Sequence, residues 1–160
     1  MDFIIVSDIH NAYKSFYELI ESQSFDGVIF LGDGLSNFLK ALENLEKKVK
    51  DVFFIEGNCD YIYPRQGYKI VKIDNLTLFI THGDAFRVKA GLYNLEAFVK
   101  SLSLNIDIVA FGHTHEKFHI SKEGIEYFNP GAFSEGKYGV LHTEKEGFYI
   151  EECIFNKIKV

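Results

Sequence analysis

Short apolar runs and longer amphipathic stretches take turns along this chain. "DFIIVS", "GVIFLG", "DVFFIEG" and "IDIVAFG" are continuous apolar runs closed by glycine or a polar residue, and they read as buried strands. "AYKSFYELIESQ" carries Phe16, Leu19 and Ile20 at helical spacing. "LSNFLKALENLEKKVK" puts Leu35, Phe38, Leu39, Leu42 and Leu45 on one face, and "LYNLEAFVKSL" gives a third helix. The basic stretch "EKKVK", 46–50, reads as the solvated end of the second helix, where positive charge suits the dipole. The first third is therefore βαβαβ, the pattern of a parallel sheet covered by helices. The pattern then changes. "YKIVKI" and "LTLFIT" flank the turn pair Asp74-Asn75 as a hairpin. After Gly112 only "KFHIS", "IEYF", "KYGVLHT" and "FYIEECIF" remain, short strands separated by glycine-bearing turns. The expectation is one α/β domain over 1–160, with two mixed β-sheets packed face to face and helices outside.

Composition narrows the class. The chain has 160 residues, 47% hydrophobic and 16% aromatic, enough for a packed core, and two prolines with no low-complexity stretch argue against disorder. A net charge of −6 does not predict general nucleic-acid binding, which wants a basic face. The start "MDFIIVSDIH" lacks the basic and long apolar segments of a signal peptide, and no run approaches a membrane span. Two cysteines, Cys59 and Cys153, make no disulfide framework. A cytoplasmic protein is expected, and nothing in the sequence speaks to its oligomeric state.

The chemistry lies at the predicted strand ends. "SDIH" supplies Asp8 and His10, "LGDG" Asp33, "EGNCD" Asn58, "THGD" His82, and "GHTH" His113 and His115. In open α/β sheets the carboxyl ends of strands line the ligand crevice. In extended chain, residues two apart point to one side, so Asp8 and His10 can reach one place while Ile9 enters the core, and His113 and His115 can do the same around Thr114. Taken singly, each is an ordinary cap or turn former. Their joint order behind apolar strands points instead to one pocket of imidazole and carboxylate donors, a set suited to Zn, Fe, Mn, Ni or Co. His119 and His142 lack such company and read as structural.

The series D-x-H, G-D, G-N-C-D, H-G, G-H-T-H and N-P-G resembles the calcineurin-like metallophosphoesterases, and most of all their small single-domain bacterial and archaeal phosphodiesterases. The likeness runs from "VSDIH" to "NPGAF" and "KYGVL". It implies a four-layer sandwich with the metal site at the strand C-terminal ends. It implies two divalent ions, manganese foremost, with Ni, Co, Fe or Zn possible. Asp8, His10, Asp33 and His115 would hold one ion, and Asp33, Asn58, His82 and His113 the other, with Asp33 shared. A bridging hydroxide would attack the phosphorus of a small phosphate ester, and no membrane partner is implied.

The chain departs from the wider pattern in places. Cys59 and Asp60 follow Asn58 where many relatives carry a histidine that protonates the leaving group, so either becomes the candidate proton donor. Asp84 stands in "THGD" where a histidine is common. Asn11 and Arg87 are candidate phosphate contacts. The rival class is a protein-binding scaffold of the same fold, like the retromer subunit, which works with a degraded site. A P-loop protein is a weaker rival, because no G-x-x-x-x-G-K-[ST] occurs.

Overall fold

The computed structural model describes residues 1–61 and 64–159. Strands β1 (Asp2–Val6), β2 (Gly27–Phe30) and β3 (Asp51–Phe54) alternate with helices α1 (Tyr13–Ser22) and α2 (Leu35–Glu43). Then come β4 (Lys69–Ile73), β5 (Leu76–Ile80), α3 (Tyr93–Ser101) and β6 (Ile108–Ala110), followed by β7 (Lys117–Lys122), β8 (Ile125–Pro130), β9 (Lys137–Glu144) and β10 (Gly147–Ile154). The strands form two five-stranded sheets, ordered β10-β9-β1-β2-β3 and β4-β5-β6-β8-β7. In the first, β1, β2 and β3 run parallel and β9 joins β1 antiparallel; in the second, β5, β6 and β8 run parallel between antiparallel edges.

Period-two alternation in the central strands builds four layers. Phe3, Ile5, Ile29 and Leu31 face Leu78, Ile80, Ile108 and Ala110 between the sheets. Their chain neighbours Ile4, Val6, Val28 and Phe30 point outward and pack with Phe16, Leu19 and Phe38 of α1 and α2. On the far side, Phe79, Val109 and Phe111 pack with Leu95 and Val99 of α3. Because both faces of the central strands are covered, those strands read as unbroken apolar runs rather than alternating ones. No helix among the described residues is long and apolar enough to cross a membrane.

The two mixed sheets are as expected, and β9 and β10, late in the chain, belong to the first sheet beside β1. One expectation is corrected. Helix α2 ends at Glu43, so 46–50 is not its final turn. Asn44 stops it: its backbone N–H and its Nδ2 both donate to the Lys40 carbonyl, at 3.3 and 2.8 Å. Beyond that stop, Lys47 Nζ donates to the Gln23 carbonyl after α1.

Candidate metal centre

Five of the parallel strands deliver a site residue past the carboxyl end: β1 gives Asp8 and His10, β2 Asp33, β3 Asn58, β5 His82, and β6 His113 and His115. Backbone bonds lock the connecting loops together. Asp8 N donates to Gly32 O at 2.9 Å and His10 N to Asp33 O at 3.2 Å. In the second sheet, Gly112 N donates to His82 O at 3.0 Å. The loops do not extend the strands. Asp8, His10, Asp33, His113 and His115 all have positive φ, between 45° and 68°. The paired donors converge because the backbone is turned left-handed at each, not through the alternation of extended chain. Such conformations cost energy in non-glycine residues and hold only where the surroundings enforce them.

The donors form two abutting groups. Ligand atoms of Asp8, His10 and His115 lie within 4.8 Å of one another, and so do those of Asp8, Asp33 and His82. Asp8 is fully buried, and its Oδ2 accepts from Ser7 Oγ at 2.5 Å and from His113 N at 3.2 Å. Its Oδ1 is buried without a hydrogen bond and faces His115 Nε2 at 3.1 Å and His10 Nε2 at 3.8 Å. His82 Nδ1 donates its proton to the Leu31 carbonyl at 2.7 Å, which directs Nε2 toward Asn58 Oδ1 at 3.1 Å and Asp33 Oδ2 at 3.4 Å. A neutral His82 therefore aims a lone pair at two oxygens. Positive charge has to lie among these atoms, either as a second ring proton or as a cation. His113 joins this side, its ring centroid 5.0 Å from that of His82.

The protonation states tell the same story. Burial works against ionised Asp33, but the hydrogen bond and charge of His82, then the Cys59 N–H, outweigh it and hold the carboxyl well below the usual range. Burial likewise opposes a charged His82, yet Asp33, then Asp8 and the Leu31 carbonyl, lift its pKa above the ordinary value. His113 is pushed down by burial and by the charges of His82 and Lys89, which favours the neutral ring. This donor set suits a divalent ion: orphaned Asp8 Oδ1, ionised Asp33 and buried His82 lie beside the half-buried imidazoles of His10, His113 and His115.

Glycine is required where the loops meet. A Cβ on Gly57 would sit 2.1 Å from Asp33 Oδ1, and one on Gly112 would sit 1.9 Å from Ser7 Oγ. Asn129, at the end of β8, is a positioning residue that the donor pattern alone did not single out. Fully buried, it donates from Nδ2 to Gly112 O at 3.0 Å and Thr114 Oγ1 at 2.9 Å, and it accepts from Gly131 N at 2.8 Å. The "NPG" series carried the signal, since asparagine before Pro-Gly at a strand end is placed to bridge two loops.

Other expected residues are distributed as follows. Asn11 lines a cleft of about 480 Å³ together with His10, Cys59 and Asp60; Arg87 is exposed outside that lining, at φ 55° between two short 3₁₀ turns. Asp60 is not placed as a proton donor. Its Oδ1 accepts from Gly34 N and Leu35 N, both at 2.8 Å, and its Oδ2 from Asp33 N at 3.0 Å and Gly57 N at 2.7 Å. With both oxygens committed to N–H donors, Asp60 presents no O–H to a leaving group. Cys59 is exposed; desolvation of its sulfur, then the hydrogen bond and charge of Asp33, push the thiol up. Asp84 pairs with Arg65 at 2.6 Å, and although burial opposes its charge, Arg65, His82 and His113 hold its carboxyl below the usual range. His119 pairs with Glu126 at 2.9 Å, and His142 lies between Asp2 and Glu151, at 2.9 and 3.4 Å; neither belongs to the donor groups.

Comparison with known proteins agrees with this geometry. The model of the calcineurin-like phosphoesterase superfamily domain matches residues 1–146. The chain is 28% identical to phosphodiesterase MJ0936 of Methanocaldococcus jannaschii, covering 90% of this chain and 94% of that protein. It is 29% identical to phosphodiesterase YfcE of Escherichia coli, covering 90% and 89%. The fold is shared with zinc-complexed Vps29 of Entamoeba histolytica at a TM-score of 0.71 and 18% identity, over 98% of this chain and 100% of that one. The chain belongs to the calcineurin-like phosphoesterase superfamily.

Proposed function

We propose that this superfamily member is a phosphodiesterase with a binuclear metal centre. Asp8, His10, Asp33 and His115 would hold one divalent ion, and Asp33, Asn58, His82 and His113 the other, with Asp33 shared. The observation that carries the two-ion reading is the pair of abutting donor groups, one with His10 and His115 and one with Asp33 and His82, with Asp8 Oδ1 orphaned and His82 Nε2 turned onto Asp33 and Asn58. Asp8 belongs to both groups, and the sharing of Asp33 rests on the likeness to the family. Bound divalent ions supply an activated water and positive charge to offset that of the phosphoryl oxygens.

The chain's own groups do the rest. Asp8 and Asp33 set the charge, two negative against four positive from a pair of ions, so the loaded pocket attracts a phosphate despite the acidic protein. Ser7 fixes one oxygen of Asp8, and Asn129 fixes the loop that carries His113 and His115. The Leu31 carbonyl fixes the tautomer of His82. Cys59, next to Asn58 and lining the cleft, is the candidate to protonate a poor leaving group. The relatives named phosphodiesterases favour a diester, and the likeness to the small "GNCD" subgroup puts Mn²⁺ first as activator, within a donor set that also suits Zn, Fe, Ni or Co.

The scaffold reading draws support from the Vps29 fold alone, at 18% identity. Because that Vps29 is itself complexed with zinc, metal binding alone does not separate the two readings, and turnover does. The deciding experiment is a screen of phosphate monoesters, diesters and cyclic nucleotides over Mn²⁺, Ni²⁺, Co²⁺, Fe²⁺ and Zn²⁺. Metal-dependent turnover of bis-nitrophenyl phosphate is expected, and no turnover of any ester with any metal would favour the scaffold.

A further inference from the structure

We infer that the cleft beside the metal centre is a leaving-group subsite that takes an uncharged aromatic group, either an aryl ring or a nucleoside. The inference rests on the phosphodiesterase reading and adds the substrate class. The cleft, about 480 Å³, falls within the range of small-molecule sites, roughly 300–1,000 Å³. It abuts the donor cluster at His10, whose Nε2 is 3.8 Å from Asp8 Oδ1, and at Cys59, whose N–H donates to Asp33 Oδ1 at 2.7 Å. An ester held by its phosphate at the cluster has this space next to it, and the candidate proton donor Cys59 lines the same opening.

The lining specifies what can enter. Leu39, 37% exposed, and Tyr61, 81% exposed, give the cleft apolar surface, and both are large apolar residues left open to solvent. An aromatic ring can stack on Tyr61 and cover Leu39. Asn11, Ser36 and Asn37 add amide and hydroxyl groups that can meet the polar edge of a base. Charge decides the rest. No lysine or arginine among the described residues lines the cleft, and its one carboxylate is that of Asp60. A further phosphate on the leaving group, seated in this cleft away from the ions, would find no cationic side chain in the described lining to offset its desolvation.

The test compares three diesters with metal-loaded protein: bis-nitrophenyl phosphate, a dinucleoside monophosphate, and the same dinucleotide with a terminal phosphate on its leaving nucleoside. Wild type should favour the uncharged dinucleotide over its phosphorylated form by about tenfold or more in kcat/KM. Leu39→Lys should narrow that gap. Tyr61→Ala should lower kcat/KM about tenfold on aryl or nucleoside diesters with metal content unchanged, and the diester that loses more identifies the preferred group. A terminal phosphate without effect, or both variants indistinguishable from wild type, would overturn the subsite. If no ester is turned over at all, the phosphodiesterase reading fails separately. Calorimetric binding of the dinucleoside monophosphate then decides the subsite: weaker binding to Tyr61→Ala supports it, and equal or absent binding refutes it.

Discussion

Asp8 with His10, and His113 with His115, stand two residues apart, and in both pairs each backbone has positive φ. The donors were legible in the sequence because each follows an apolar strand, mostly beside glycine. Their manner of converging was not, because spacing alone does not distinguish extended chain from consecutive left-handed turns. The role of Asp60 was hidden for another reason: most of its N–H partners lie 25–27 residues away, on the loop and helix start after β2. Two outcomes follow at this scale. Asp60→Asn replaces an accepting oxygen with an NH₂ facing other donors, so it should lower stability by about 1–3 kcal/mol in chemical denaturation without selecting among leaving groups. Cys59→Ser, with metal content intact, should slow an alkyl or nucleoside ester by about 10²–10⁴-fold and leave a nitrophenyl ester nearly unchanged. Equal effects on both esters would remove Cys59 as the proton donor.

The elements themselves were largely readable. Strands buried on both faces show as apolar runs, and α1 and α2 show helical spacing because Phe16, Leu19, Ile20 and Phe38 face the first sheet. The end of α2 was not readable from periodicity, since Leu45 continues the stripe while Asn44 has already turned its amide back onto Lys40. Phe38 stacks on Phe30 at 4.5 Å and meets Phe16 at 5.7 Å, and it is fully buried. Phe38→Ala should therefore cost about 3–5 kcal/mol in denaturant unfolding. Gly57→Ala should show the opposite profile. Its Cβ would displace Asp33 Oδ1 rather than open a cavity, so metal affinity should fall far more than the stability of metal-free protein. Metal binding by Gly57→Ala equal to wild type would show that the β3 loop does not set the position of Asp33.

Across the molecule, the sheet to which β9 and β10 belong was beyond sequence reasoning, because antiparallel strands late in the chain fit either sheet edge. Their return beside β1 ties the two ends of the chain together, with the N-terminal amine donating to Thr143 O at 2.9 Å. The donor pocket also sets a pH response for the whole fold. In metal-free protein, lowered Asp33 adds stability above the ordinary carboxylate value, about 3.9, and loses it as pH falls through its depressed one. Raised His82 adds stability below about 6.5 and loses it as pH rises through its elevated value, whereas lowered His113 loses stability as pH falls below about 6.5. Above about pH 6.5 the His82 contribution therefore declines in metal-free protein, while metal binding strengthens as imidazoles give up protons. Melting temperatures with and without Mn²⁺ should diverge from about pH 6.5 to 8; a gap that stays constant or closes would contradict ligation by these histidines.

The binuclear centre is tested most directly by metal content per chain after reconstitution and removal of free ion, measured by elemental analysis on wild type and Asp33→Asn. Two divalent ions per wild-type chain are expected, with loss of both in Asp33→Asn because in the proposed centre one carboxylate would serve the two sites. A wild-type protein that binds one ion or none, or an Asp33→Asn protein that keeps two, would contradict the account.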